Sequence, residues 1–140
     1  MQDIFETPNK TPKMLIADDD PAIVRLLADR CVKLGFKIET AANGLQLLIK
    51  ARRNHPDIII VDVNMPELDG LQALEKLRAI DPDCAVIMLT SLTTRQVIER
   101  AASLGAVNYI RKDTPKEEIL ATLRQILDTM FETGDETTNP

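Results

Sequence analysis

The strongest constraint in this sequence is a repeated change of hydrophobic period. Short apolar runs at 14–17, 36–40, 58–61, 85–89 and 107–110 each give way to a segment with apolar residues at helical spacing. The helical stripes are Ile23, Leu26, Leu27, Cys31 and Leu34; Leu45, Leu48 and Ile49; Leu71, Leu74 and Leu77; Val97, Ala101 and Leu104; and Ile119, Leu123, Ile126 and Met130. The third and fourth runs are continuous, as in strands covered on both faces. Helix starts are marked by Asp20-Pro21, by Asn43 and Thr93 (each three residues before a glutamine), and by Thr114-Pro115-Lys116-Glu117, which reads as a capping box with proline in the first turn. Gly35 and Gly105 follow helices one and four, where a left-handed residue closes a helix. Five strands alternating with five helices predict parallel strands with right-handed crossovers, a doubly wound α/β sheet. The strand order expected for such a chain is 2-1-3-4-5.

Composition narrows the function classes. A chain of 140 residues with 44% apolar and 28% charged residues suits one domain with its own core. Its net charge of −5, from 22 acids against 17 bases, argues against direct nucleic-acid binding through a basic field. Only 3% of residues are aromatic, too few for a base-stacking platform. Cys31 and Cys84 both lie in apolar periodic segments and read as buried thiols rather than a disulfide or zinc site. No apolar run approaches the roughly 20 residues that span a bilayer. The opening MQDIFETPNKTP has no apolar signal segment, so no membrane association and a cytoplasmic location are expected. The ends are polar. The expected division is a flexible arm at 1–12, a domain at 13–130, and a flexible tail or truncated linker at 131–140.

Ligands of a doubly wound sheet sit outside the carboxyl ends of its strands, near the switch point between strands one and three. There the chain places Asp18, Asp19 and Asp20 after strand one and Asp62 after strand three. Thr90 and Ser91 end strand four, and Arg111, Lys112 and Asp113 follow strand five. Two carboxylates about 4 Å apart repel by roughly 4 kcal/mol at an effective dielectric near 20. Clustered acids therefore protonate or hold a cation, and a hard ion such as Mg²⁺ suits oxygen ligands. A carboxylate beside Mg²⁺ is a nucleophile for phosphoryl transfer, with Thr90 and Lys112 supplying donors for the spreading charge. Asp20 is expected to be the helix cap. The stretch 63–70 reads as a loop in which Pro66 fixes a turn, Gly70 supplies an unusual backbone conformation, and the Asn64 carbonyl points at the ion.

Four segments carry a family resemblance: LIADDD at 15–20, IIIVDVNMPELDG at 58–70, VIMLTS at 86–91 and GAVNYIRK at 105–112. In this order and spacing, the chain resembles the receiver domain of two-component response regulators, over about residues 13–130. The resemblance implies a flavodoxin-like fold and a phosphorylation-activated switch that catalyses only its own phosphorylation and dephosphorylation. It implies that Asp62 accepts a phosphoryl group from a sensor histidine kinase or phosphotransfer protein. Asp18, Asp19, Asp62 and the Asn64 carbonyl would hold Mg²⁺, with Thr90 as switch hydroxyl and Lys112 contacting the phosphoryl group. Tyr109 would turn inward on activation and reshape the helix 4–strand 5–helix 5 face, for a downstream protein partner or a homodimer. One departure is visible: many receivers follow the lysine with proline, often cis, whereas here Asp113 follows Lys112. Leu92, two residues past Thr90, cannot orient a hydrolytic water, so fast self-dephosphorylation is not expected.

Two other function classes compete. A haloacid-dehalogenase-type phosphatase would use Asp18 as nucleophile and Asp20 as acid, but Pro21-Ala22 lacks that group's usual Thr or Val. A phosphorylation-independent interaction module would have lost site residues, and none is missing. His55 lies in a turn entering strand three at the opposite edge, where a structural or solvent role is expected. Arg52 and Arg53 suit the C-terminal end of helix two.

Overall fold

The computed structural model describes residues 11–91 and 94–130. In chain order the elements are β1 (Lys13–Ala17), α1 (Pro21–Lys33), β2 (Lys37–Ala41), α2 (Gly44–Asn54), β3 (Ile58–Val61), α3 (Gly70–Ile80), β4 (Ala85–Thr90), α4 (Arg95–Ser103), β5 (Asn108–Arg111) and α5 (Lys116–Met130). All pairings are parallel and the strand order is β2-β1-β3-β4-β5. The expected fold is therefore found, with strand edges moved by one residue in β1, β2, β4 and β5. Apart from Thr11 and Pro12, the expected arm and tail lie outside the described residues. The Pro12 carbonyl accepts from the Lys37 N–H at 2.9 Å and continues the β1 ladder.

Alternation along the central strands divides the core into two layers. Met14, Ile16, Ile58, Ile60, Ile87 and Leu89 face α1 and α5. Leu15, Ala17, Ile59, Val61, Val86 and Met88 face α2, α3 and α4. The strands are apolar on both faces because helices cover both, which is why their sequence runs are continuous. The Val, Leu, Ile and Met side chains so enclosed each contribute roughly 1.5–3 kcal/mol of burial.

The helix ends differ from expectation in instructive places. Asp20 caps α1 by accepting from the Ala22 N–H at 3.0 Å, and Asn43 caps α2 by accepting from the Gln46 N–H at 2.9 Å, both as expected. The cap of α4 is Thr94, which accepts from the Val97 N–H at 3.3 Å; Thr93, the residue expected there, lies outside the described residues, as does Leu92. At α5 the box is not formed. Pro115 precedes the first helical residue and its carbonyl accepts from Glu118 and Ile119, while the Thr114 hydroxyl donates to the Arg111 carbonyl. Gly35 and Gly105 take positive φ beyond α1 and α4. His55 also does so, at φ 49°, as the exposed C-cap of α2, at the amino edge of the sheet as expected.

In α2 the expected stripe is corrected. Leu47 and Ala51 are buried, whereas Leu45 and Ile49 are about half exposed. With apolar side chains at 45, 47, 48 and 49, two helix faces fit the pattern equally well, and Gly44 decides between them. A Cβ on Gly44 would lie 2.2 Å from the Leu68 carbonyl oxygen, so this edge of α2 is pressed against the β3–α3 loop. At the amino edge, Arg78 of α3 donates to the carbonyls of Cys84, Leu104 and Gly105 at 2.6, 2.8 and 3.0 Å, tying α3 to the start of β4 and the end of α4.

Candidate functional site

The carboxyl edge gathers what the strand ends carry. The parallel register sets Ala17 beside Val61, and the backbone N–H groups of Asp18 and Asp62 extend the ladders to Ala41 and Ala17 at 3.0 Å. Asp18 and Asp62 therefore emerge side by side, each only 4% exposed. On β4, Thr90 is fully buried as the last strand residue, in register with Arg111, and its carbonyl accepts from the Lys112 N–H at 2.9 Å. Lys112 is then the first residue beyond β5.

Its ammonium holds the two acids together. Lys112 Nζ donates to Asp18 Oδ1 and to Asp62 Oδ2, both at 2.9 Å. Asp18 Oδ1 also accepts from the Asp20 N–H at 2.9 Å, and Asp62 Oδ1 accepts from the Asn64 N–H at 3.2 Å. Asp18 Oδ2 is buried and lies 2.8 Å from Lys112 Nζ, yet receives no well-directed hydrogen bond. It is an acceptor still open to a ligand. Ligand atoms of Asp18, Asp19 and Asp62 all lie within 4.8 Å of one another, with Asp19 exposed at the rim. A hard, oxygen-seeking divalent cation fits this donor set. The rim opens into a cleft of about 570 Å³ whose walls include Arg25, Gln46 and Lys50.

Electrostatics follow burial. Loss of water is the largest influence on Asp18 and raises its pKa, the neighbouring Asp62 charge adding to the rise, although hydrogen bonds from Lys112 and the Asp20 amide pull it down. Burial opposes the charge on Lys112, but hydrogen bonds to Asp18 and Asp62 and their charges outweigh it, and its pKa stands above the ordinary lysine value. Tyr109 is half-buried in the layer beneath α4, paired in register with Met88. Its pKa is raised by burial and then by the charge of Asp62, so the phenol and the carboxylate share one field.

Other site residues stand as follows. Asn64 is exposed just beyond Asp62. Asp20 spends its side chain on the α1 cap, away from the acid role that a phosphatase would need. Gly70 corrects the expectation of an unusual backbone: its φ is not positive. A Cβ there would lie 2.3 Å from the Asp62 carbonyl oxygen, so glycine is required for close approach. The positive φ in this loop belongs to Glu67, at 71°. The capping box, in turn, is at α3. Asp69 accepts from the Gln72 N–H at 2.8 Å, and Gln72 Oε1 accepts from the Asp69 N–H at 3.2 Å. Its sequence signal, Asp-Gly-Leu-Gln, was available in the pattern of an acid three residues before glutamine.

Comparison with known proteins agrees with this geometry. Residues 14–124 match the response regulator receiver domain family. The chain is a response regulator receiver domain. Such a domain is a phosphorylation-activated switch with an acidic phospho-acceptor and metal site, not an enzyme acting on external substrates. The receiver is 36% identical over 121 residues to the probable transcriptional regulator ycf27 of Porphyra purpurea, covering 85% of this chain and 49% of that protein. It thus spans about half the length of the curated relatives it matches. Its fold superposes on a CheY-like receiver domain protein from Methanospirillum hungatei with a TM-score of 0.77 at 26% identity, covering 86% of this chain and 96% of that one. It also superposes on the CheX–CheY–BeF₃–Mg²⁺ complex from Borrelia burgdorferi with a TM-score of 0.75 at 28% identity, covering 83% and 89%. No helix among the described residues is long and apolar enough to cross a membrane.

Proposed function

We propose that this receiver accepts a phosphoryl group on Asp62 from the phosphohistidine of a sensor kinase or phosphotransfer protein, in a Mg²⁺-dependent step. One observation carries this reading: the Lys112 ammonium bridges Asp18 and Asp62 at the switch point of the sheet, with three carboxylates in reach of one ion. Asp18, Asp19, Asp62 and the Asn64 carbonyl would hold Mg²⁺, which when bound neutralises charge on the phosphoryl oxygens. A related CheY–CheX complex contains both Mg²⁺ and a BeF₃ group, which supports the assignment by similarity.

In the reaction, an Asp62 oxygen forms the new O–P bond as the donor's P–N bond breaks, and the electron pair leaves on the imidazole nitrogen. The chain's own residues prepare this transfer. The Asn64 amide holds Asp62 Oδ1, and Gly70 fits against the Asp62 carbonyl, so the attacking carboxylate is aimed before the donor arrives. Lys112 meets the developing charge with a fixed ammonium, and the Thr90 hydroxyl supplies a second donor from the adjacent strand. The new dianionic group draws Thr90 toward it, Tyr109 follows into the space released, and the α4–β5–α5 face is reshaped for a downstream protein or a second copy.

The experiment is intact-mass measurement after incubation with acetyl phosphate, with and without Mg²⁺, on wild type and Asp62→Asn. The expected result is one hydroxylamine-labile phosphoryl group that needs both Mg²⁺ and Asp62. An adduct on Asp62→Asn, or steady donor hydrolysis abolished by Asp18→Asn alone, would overturn the assignment. No adduct from this donor would leave two readings, a receiver phosphorylated only by its kinase or a module that works without phosphorylation.

A further inference from the structure

Lys112 stands between two residues of opposite charge that grip each other over it. Arg111 Nε donates to Asp113 Oδ1 at 3.1 Å, and Arg111 Nη2 lies 2.8 Å from Asp113 Oδ2. This is a two-bond, fork-on-fork pair, the most directional form an ion pair takes. It closes over a turn in which the Thr114 N–H donates to the Arg111 carbonyl at 3.3 Å and the Thr114 hydroxyl donates to the same oxygen. Lys112 and Asp113 are the two central residues of that turn. The pair joins residues i and i+2, so the one residue whose backbone dihedrals it fixes from both sides is Lys112.

We infer that Arg111 and Asp113 form a clamp that holds Lys112 in register with the phospho-acceptor, making both of them positioning residues. This rests on the reading of Asp62 given above. Without an ion, the ammonium is held at its tip by Asp18 and Asp62. Those same carboxylates are the donors a divalent cation takes, so cation binding weakens the tip anchors when Lys112 is needed. What then remains is its backbone hold: the N–H bond to the Thr90 carbonyl and the clamp across Arg111 and Asp113. The clamp has a second effect. It occupies both oxygens of Asp113, a carboxylate adjacent in sequence to Lys112 that would otherwise be free to compete for its ammonium. Both partners are well exposed, 60% and 58% by side chain, so exposed pairing alone would add little to global stability. Its value lies in local geometry, which catalysis weighs more heavily than stability does: a misplacement of about 1 Å can cost roughly a hundredfold in rate.

The test uses the whole chain with Arg111→Gln, Asp113→Ala and the double variant. Two quantities are read: hydrogen exchange of the Lys112 amide without Mg²⁺, and the acetyl phosphate labelling rate across a Mg²⁺ titration. The clamp predicts faster Lys112 amide exchange in each single variant, with the thermal midpoint unchanged. It also predicts a maximal labelling rate lowered about threefold to tenfold, within the range that positioning effects span. The Mg²⁺ half-saturation should stay within about twofold, and the double variant should be no slower than the worse single one, because both remove the same link. Unchanged amide exchange, single variants labelled at the wild-type rate, or a double variant whose losses multiply would each overturn the clamp. A wild type that takes no phosphoryl group from either acetyl phosphate or a phosphohistidine donor would overturn the reading of Asp62 instead, and the metal-free exchange data would still decide whether the clamp holds Lys112.

Discussion

One ammonium, that of Lys112, serves two buried carboxylates, and this fixes what its loss should do. In Lys112→Ala, Asp18 and Asp62 face each other without a countercharge. Breaking a buried pair in this way costs about 3 kcal/mol or somewhat more, read as a lower urea midpoint in metal-free buffer at pH 7. Adding Mg²⁺ should return part of that loss, because an ion that binds only the folded acids stabilises the folded state. A variant as stable as wild type in EDTA would contradict the geometry of the site. These residues were legible in the sequence because a strand end is located by where its apolar run stops, and each run stops at or next to an acid, a hydroxyl or a cation. The role of Gly70 was not legible. A glycine chosen for left-handed backbone and one chosen for close approach look the same in one dimension, and only the 2.3 Å separation from the Asp62 carbonyl oxygen tells them apart.

At the scale of elements, α3 begins against Asp62, the proposed phospho-acceptor. Gly70→Ala forces a Cβ into the Asp62–Val63 peptide, since Val63 Cα lies 2.8 Å away as well. Neither neighbour is the movable end of a flexible side chain, so the helix start or the Asp62 peptide must shift. The expected result is a stability loss of about 1–3 kcal/mol from overpacking, together with slower labelling of Asp62. A variant that loses stability but labels at the wild-type rate would show that α3, and not Asp62, absorbs the shift. The elements themselves were readable from periodicity, and their edges less so. Thr94 rather than Thr93 caps α4, because adjacent hydroxyl residues offer equivalent local signals and the packing of Val97 and Ala101 on the sheet chooses between them. For the same reason Leu45 and Ile49 of α2 face outward: four apolar side chains among five positions define no unique face, and the contact between Gly44 and Leu68 supplies what the pattern lacks.

At the scale of the whole molecule, the described residues form two apolar layers separated by one sheet, and each layer holds one thiol: Cys31 in the layer of α1 and α5, Cys84 in the layer of α2, α3 and α4. Burial pushes both up to about 12 from 9.0. In the unfolded chain these thiols ionise near 9, while the folded protein keeps their protons to about 12. The folded state therefore binds more protons between those values. The thiol contribution to stability is complete below about pH 9 and is lost as pH rises toward 12, with a slope of about 1.4 kcal/mol per unit for each thiol. Denaturation midpoints measured at pH 8, 9.5 and 11 should fall in that order, and the fall should lessen in a Cys31→Ala, Cys84→Ala variant. Because the sheet is shared, the layers should also open together. Pulsed alkylation in graded urea should label Cys31 and Cys84 with coincident midpoints, and separate midpoints would show two independent folding units.

The bond from Lys112 to Asp18 spans 94 residues, and that to Asp62 spans 50. Synthesis runs in one direction, so a chain emerging from the ribosome has its three carboxylates complete by residue 62 and their countercharge only at residue 112. Between those two moments the nascent chain carries mutual repulsion at the seam where β1 and β3 must pair. The last strand does more than finish the sheet, since it delivers the charge that lets the first and third strands end side by side. Assembly of the proposed phosphorylation site is thereby tied to the arrival of the segment that follows β5.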